Sequence, residues 1–185
     1  SPMRSIARHG SIPRRFLVDL ALLAVSVLLF SLSFPSFVSR WGFGPVAFFA
    51  LIPLPLVLRR NGYGAVALLG LLYGYGCYAL FNYWLAKFHP LAHTIVPVIY
   101  GAYFLLLFPL LKAADDLFPR HGHLVQLAVW LAYEFVRTLG FLGYSYGIIG
   151  YTQYLFLPLA RVSAVTGVWG VSALVAYPSF FIGRM

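Results

Sequence analysis

Six long apolar runs dominate this chain, and they restrict its fold more than any other feature. They cover residues 16–34, 43–58, 63–81, 94–111, 124–139 and 162–182. Each is close to the roughly 20 residues that a helix needs to cross hydrocarbon. Apolar residues make up 62% of the 185 and charged residues 9%. A soluble domain carries charge on about a quarter of its positions. The sequence therefore predicts an all-α, polytopic transmembrane bundle of about six helices, occupying residues 16–185 behind a basic N-terminal segment, 1–15. The first run is too long for a signal-peptide core and lacks an A-x-A cleavage pattern, so it is read as a retained helix.

The net charge of +9 fits the same picture. The basic residues sit in short gaps between apolar runs and not as a stripe on a polar domain, which argues against a nucleic-acid partner. With the N-terminus in the cytoplasm and the runs alternating, the inner side receives Arg4, Arg8, Arg14, Arg15, Arg59, Arg60, Lys112, Arg120 and Arg184. The outer side receives only Arg40, Lys87 and Arg161. Positive residues favour the cytoplasmic side, so the bias sets an orientation.

The runs differ in detail. Pro45, Pro53 and Pro55 predict a kink in the second. Gly70-x-x-x-Gly74 in the third marks a close helix contact. Pro90 stands between His89 and His93 and argues against their acting as a helical metal pair. Cys77, the only cysteine, lies inside an apolar run and reads as a small buried residue. Asp19 is expected at the membrane interface, and Asp115 and Asp116 in a solvated turn or helix terminus. No nucleophile elbow, phosphate loop, metalloprotease motif or cofactor motif is present. Neither a metal nor a cofactor is expected.

Glu134 and Arg137, three apart in the fifth run, are the notable ionisable residues. Charges inside spans are costly, so such groups pair or line a polar cavity. At about 1.5 Å per residue, Arg137 lies roughly 20 Å from the start of its helix, toward the outer leaflet. A Gly- and Tyr-rich stretch follows and is expected to fold over that outer face. The bland alternative is a neutralised pair that only fixes helix packing.

The stretch Val129–Gln153 resembles the membrane region of apolipoprotein N-acyltransferases. The resemblance rests on Trp130, Glu134, Phe135 and Arg137 (W-x3-E-F-x-R) and on Gly150-Tyr151-Thr152-Gln153. Phe34-Pro35, Asn82-Tyr83-Trp84, Pro158-Leu159 and Gly167-Val168-Trp169-Gly170-Val171-Ser172 extend it along most of the chain. Where many members carry Phe-Pro-Trp, this chain has Tyr144-Ser145-Tyr146.

The resemblance implies a bacterial inner-membrane protein that moves an acyl chain from a phospholipid to the N-terminal amine of a diacylglyceryl-modified lipoprotein. It also implies about eight spans in the whole enzyme, with a nitrilase-like periplasmic domain carrying the catalytic Glu, Lys and Cys. No such domain lies in this sequence, which is expected to be a truncated, split or excerpted membrane portion without activity of its own. Trp130, Glu134, Arg137, Tyr151 and Gln153 are the substrate-cavity candidates, and none is expected to be a catalytic residue. Two other readings compete: a small complete transporter or lipid-handling protein, and a scaffold with no ligand.

Overall fold

A computed structural model describes residues 14–185, and all the regular elements among them are helical. Arg4 and Arg8 of the basic N-terminus lie outside these residues. The elements are α1 (Arg14–Ser33), α2 (Ala47–Ala50), α3 (Pro53–Arg60), α4 (Tyr63–Phe81), α5 (Pro90–Leu117), α6 (Gly122–Val136), α7 (Leu157–Ala160) and α8 (Ser163–Ile182), which is broken at Gly167. Short 3₁₀ turns occupy Gly44–Val46, Tyr83–Lys87 and Ile149–Gln153. Among the described residues, α1, α4, α5 and α8 are long and apolar enough to cross a membrane.

The first, third, fourth and sixth apolar runs fall on these four helices, while the second and fifth take other forms. The second run is two short helices and not one kinked helix. Pro53 opens α3, where its missing N–H costs nothing, and Leu54 N–H turns back to Leu51 O at 3.1 Å. The break strands carbonyls in an apolar interior. Ser26 Oγ donates to Ala50 O at 2.5 Å and Ser179 Oγ to Phe48 O at 2.7 Å. Irregular backbone at this depth requires such internal partners. Ser179→Ala is therefore expected to cost about 1–2 kcal/mol, read as a lower melting temperature in detergent. An unchanged melting temperature would show that the Phe48 carbonyl needs no partner.

The fourth run lies inside the longer α5, whose last turns carry Lys112, Asp115 and Asp116. Asp115 and Asp116 stand at a helix terminus, one of the two expected placements, and Asp116 is exposed, but Asp115 is not solvated. It is buried between two arginines, with Arg59 Nε at 2.7 Å and Arg184 Nε at 2.6 Å. Asp19 is likewise not at an interface: it is 2% exposed. Arg60 lies 3.3 Å away, and Asn61 Nδ2 donates to Asp19 at 2.8 Å. Both corrections have one cause. The ends of α1, α3, α5 and α8 meet here, and their basic residues bring the acids inside. Arg59, Arg60, Lys112 and Arg184, which sequence alternation assigns to one side, do gather at one end.

α4 and α5 form the central antiparallel pair. A Cβ on Gly70 would meet Phe104 O and stand 2.8 Å from Phe108 Cβ and Cγ, and one on Gly74 would stand 2.7 Å from Phe104 Cγ. The small residues allow this approach, as their spacing predicts. Phe30, Phe34, Tyr78, Phe81 and Tyr100 continue the core toward the other end, with neighbouring rings 4.9–5.8 Å apart. That end carries the candidate site.

Candidate functional site, a buried polar clamp

α6 ends near Glu134, and the chain then turns back on itself. Tyr144 N–H donates to Arg137 O at 2.9 Å, closing the segment between them. Gly147 has φ +92, which favours glycine, and a Cβ there would lie 2.6 Å from the Phe81 ring. The loop thus lies tightly on the aromatic core before entering the Ile149–Gln153 turn.

Glu134 and Arg137 hold this loop. Glu134 is 0% exposed and Arg137 1%. Glu134 Oε1 accepts from Ile149 N–H at 2.8 Å and from Trp130 Nε1–H at 3.2 Å. Arg137 Nη1 donates to Tyr144 O at 2.9 Å and Tyr146 O at 2.8 Å. Its guanidinium carbon lies 5.7 Å from the Tyr78 ring centroid and 5.6 Å from that of Tyr133. Such cation–π contacts strengthen when desolvated. The two residues form no ion pair within 4 Å among the described residues. Each grips the loop backbone instead, the acid taking an N–H and the base taking two carbonyls.

Further bonds extend the clamp. Gly150 N–H donates to Ser172 Oγ on α8 at 3.0 Å, and a Cβ on Gly150 would lie 2.8 Å from Val168 O. Tyr144 OH donates to Asn82 Oδ1 at 2.6 Å, and Tyr100 OH donates to Leu142 O. Tyr144 and Tyr146 lie in the loop, outside the helices. Burial pushes both phenols above their ordinary value, so each remains a neutral hydroxyl.

Sequence reasoning placed Trp130, Glu134 and Arg137 together, and the structure puts all three within one clamp. Gln153 is part of the same loop but has another task. Its amide donates to Gly44 O at 2.7 Å, tying the loop to the segment after α1. It also lines an apolar groove of about 420 Å³ with Phe43, Pro45, Phe48, Leu155 and Phe156. Tyr151 is 45% exposed beside it. Only Gln153 of the five candidates lines this groove; Glu134 and Arg137 are sealed beneath the loop. Ser172 was not singled out from the sequence as a site residue. Its signal was its place at the end of the Gly167–Ser172 motif, five residues after the break in α8.

This combination defines a class: an all-helical, multi-pass membrane domain in which a buried acid and base hold a loop over one end. A family model described as the apolipoprotein N-acyltransferase N-terminal domain matches residues 26–180. The chain belongs to that family. Apolipoprotein N-acyltransferase 1 of Treponema denticola is 43% identical over 162 residues, covering 88% of this chain and 30% of its own length. Apolipoprotein N-acyltransferase 1 of Treponema pallidum is 42% identical over 162 residues, with the same two coverages. Apolipoprotein N-acyltransferase of Geobacter metallireducens is 30% identical over 196 residues, covering 95% of this chain and 34% of its own. The chain thus spans about a third of the length of these curated relatives.

Proposed function

We propose that this chain is the membrane portion of an apolipoprotein N-acyltransferase. In this reading it lies in the bacterial inner membrane with its N-terminus in the cytoplasm and crosses about six times. The acyl donor is a phospholipid, and the acceptor is the N-terminal amine of a diacylglyceryl-modified lipoprotein. Both are held in the outer leaflet by acyl chains. A membrane domain that fixes their approach supplies orientation, which can account for several kcal/mol of a barrier. The thioester and oxyanion chemistry belongs to a separate catalytic domain.

The observation that carries this reading is the clamp. Trp130, Glu134 and Arg137 fix a loop at the end opposite the basic cluster, which the positive-inside bias turns toward the outer leaflet. Tyr151 then stands at its surface as a contact for headgroup or lipoprotein, while Gln153, 3% exposed, braces the loop from beneath. An apolar groove between α5 and α6, lined by Leu106, Leu110, Val129 and Tyr133, suits an acyl chain.

A domain exchange tests the proposal. The matching third of the Treponema denticola enzyme is replaced by this chain, and lipoprotein N-acylation is assayed in membranes. Retained acylation is expected. A chimera that inserts and folds but transfers no acyl chain would contradict it. The isolated chain, given labelled phospholipid, is expected to form no thioester. An acyl group on Cys77 would overturn that expectation.

A further inference from the structure

The end of the bundle opposite the clamp carries a pocket with no part in the reading above. It has a volume of about 310 Å³ and is lined by Arg59, Pro119, Arg120, His123, Phe181 and Arg184, with Met185 at its edge. Three guanidinium groups face one space. Among the described side chains, Asp115 is the single carboxylate beside them, and it is shared between Arg59 and Arg184. Arg120 has no carboxylate within 4 Å among the described residues. The other acids at this end are engaged, Asp19 by Arg60 and Asp116 by Lys112 and Tyr63. Counting the described side chains, two positive charges therefore remain without a carboxylate partner around the pocket. Concentrating like charge in a partly dry recess is unfavourable unless an anion occupies it.

The geometry is preset for such an anion. Arg184 Nη2 donates to Pro119 O at 2.5 Å and to Phe118 O at 3.3 Å, holding the α5–α6 turn in place. Arg59 Nη1 donates to Arg184 O at 2.7 Å. The His123 ring packs edge-on against Phe181, 5.5 Å between centroids, and against Tyr177 at 6.1 Å. Phe181 lines the pocket, and Leu124 and Ile182, next in the chain to the lining residues His123 and Phe181, are exposed and apolar. A small free anion would use only the arginines. A phosphodiester joined to acyl chains would use the arginines and these apolar side chains together.

We propose that this pocket binds the phosphate of an anionic phospholipid, with Arg120 as the unpaired cation that selects for net negative charge. Guanidinium groups suit phosphate oxygens because their N–H groups match the oxygen geometry. The acyl chains run along Leu124 and Ile182 between α6 and α8. This site does not depend on the acyltransferase reading and lies at the other end of the bundle.

The test uses this whole chain in detergent and native mass spectrometry. Short-chain phosphatidylglycerol, short-chain phosphatidylcholine and inorganic phosphate are titrated separately. Phosphatidylglycerol is expected to bind about tenfold more tightly than phosphatidylcholine, and Arg120→Gln to reduce that preference about fivefold. Arg120 is exposed and makes no ion pair, so this variant is expected to fold normally. Equal binding of the two lipids, or a preference unchanged in Arg120→Gln, would overturn the proposal. Inorganic phosphate that displaces phosphatidylglycerol at equal concentration would overturn the lipid assignment and leave a free-anion site.

Discussion

Replacing Glu134 with alanine is expected to cost about 3–5 kcal/mol, whereas Glu134→Gln costs only about 1–2 kcal/mol. The asymmetry follows from what the carboxylate does. Glu134 Oε1 accepts from Ile149 N–H and Trp130 Nε1–H, and no salt bridge joins it to Arg137. A glutamine amide oxygen can accept both bonds. Alanine can accept neither and leaves two donors dry in the interior. For a domain of this size the loss amounts to a melting temperature lower by roughly 10 °C for alanine and roughly 4 °C for glutamine. Thermal unfolding in detergent, followed by tryptophan fluorescence, checks it. If the pair acted through charge, the two variants would fall together.

The second large effect is expected on the α4–α5 seam. Gly70→Leu has no space: the first added carbon already meets Phe104 O and the Phe108 side chain. Phe104 O is backbone and cannot swing aside, so the helices must separate. The expected cost is at least about 3 kcal/mol, the upper end of what overpacking does in a tight core. Gly64 provides the control, since a Cβ there meets nothing within 4 Å. Gly64→Ala is expected to be neutral or to stabilise α4 by up to about 1 kcal/mol. Expression and monodispersity after size-exclusion chromatography separate the two. A well-folded Gly70→Leu variant would mean that α4 and α5 do not pack as described.

The clear parts of the sequence were the apolar periods and the close contact at Gly70 and Gly74. Both arise from local composition, which a linear reading can see. The outcome for Asp19 and Asp115 was not visible, because it depends on which helix ends meet. Asp19 finds Arg60 and Asn61 across 41 and 42 positions of chain, and Asp115 finds Arg59 and Arg184. The break before Pro53 was legible only as a kink. Its completion needs Ser26 and Ser179, two unremarkable serines that supply hydroxyls to Ala50 O and Phe48 O.

The site was legible in its members and not in its wiring. The W-x3-E-F-x-R spacing brought Trp130, Glu134 and Arg137 forward, yet their partners are backbone atoms. Ile149 N–H and the carbonyls of Tyr144 and Tyr146 carry no signature in side-chain identity. Arg137 grips the carbonyls of Tyr144 and Tyr146, so these two bonds do not depend on which side chains stand there.

Glu134 and Arg137 hold the loop of residues 144–153 by its backbone. Hydrogen–deuterium exchange over residues 144–153, with the chain in lipid nanodiscs, tests it most directly. Slow exchange is expected for this segment in the native chain and in Glu134→Gln. Fast exchange is expected in Glu134→Ala, at a temperature where the α4–α5 pair remains protected. A loop that exchanges as slowly in Glu134→Ala as in the native chain would contradict the account.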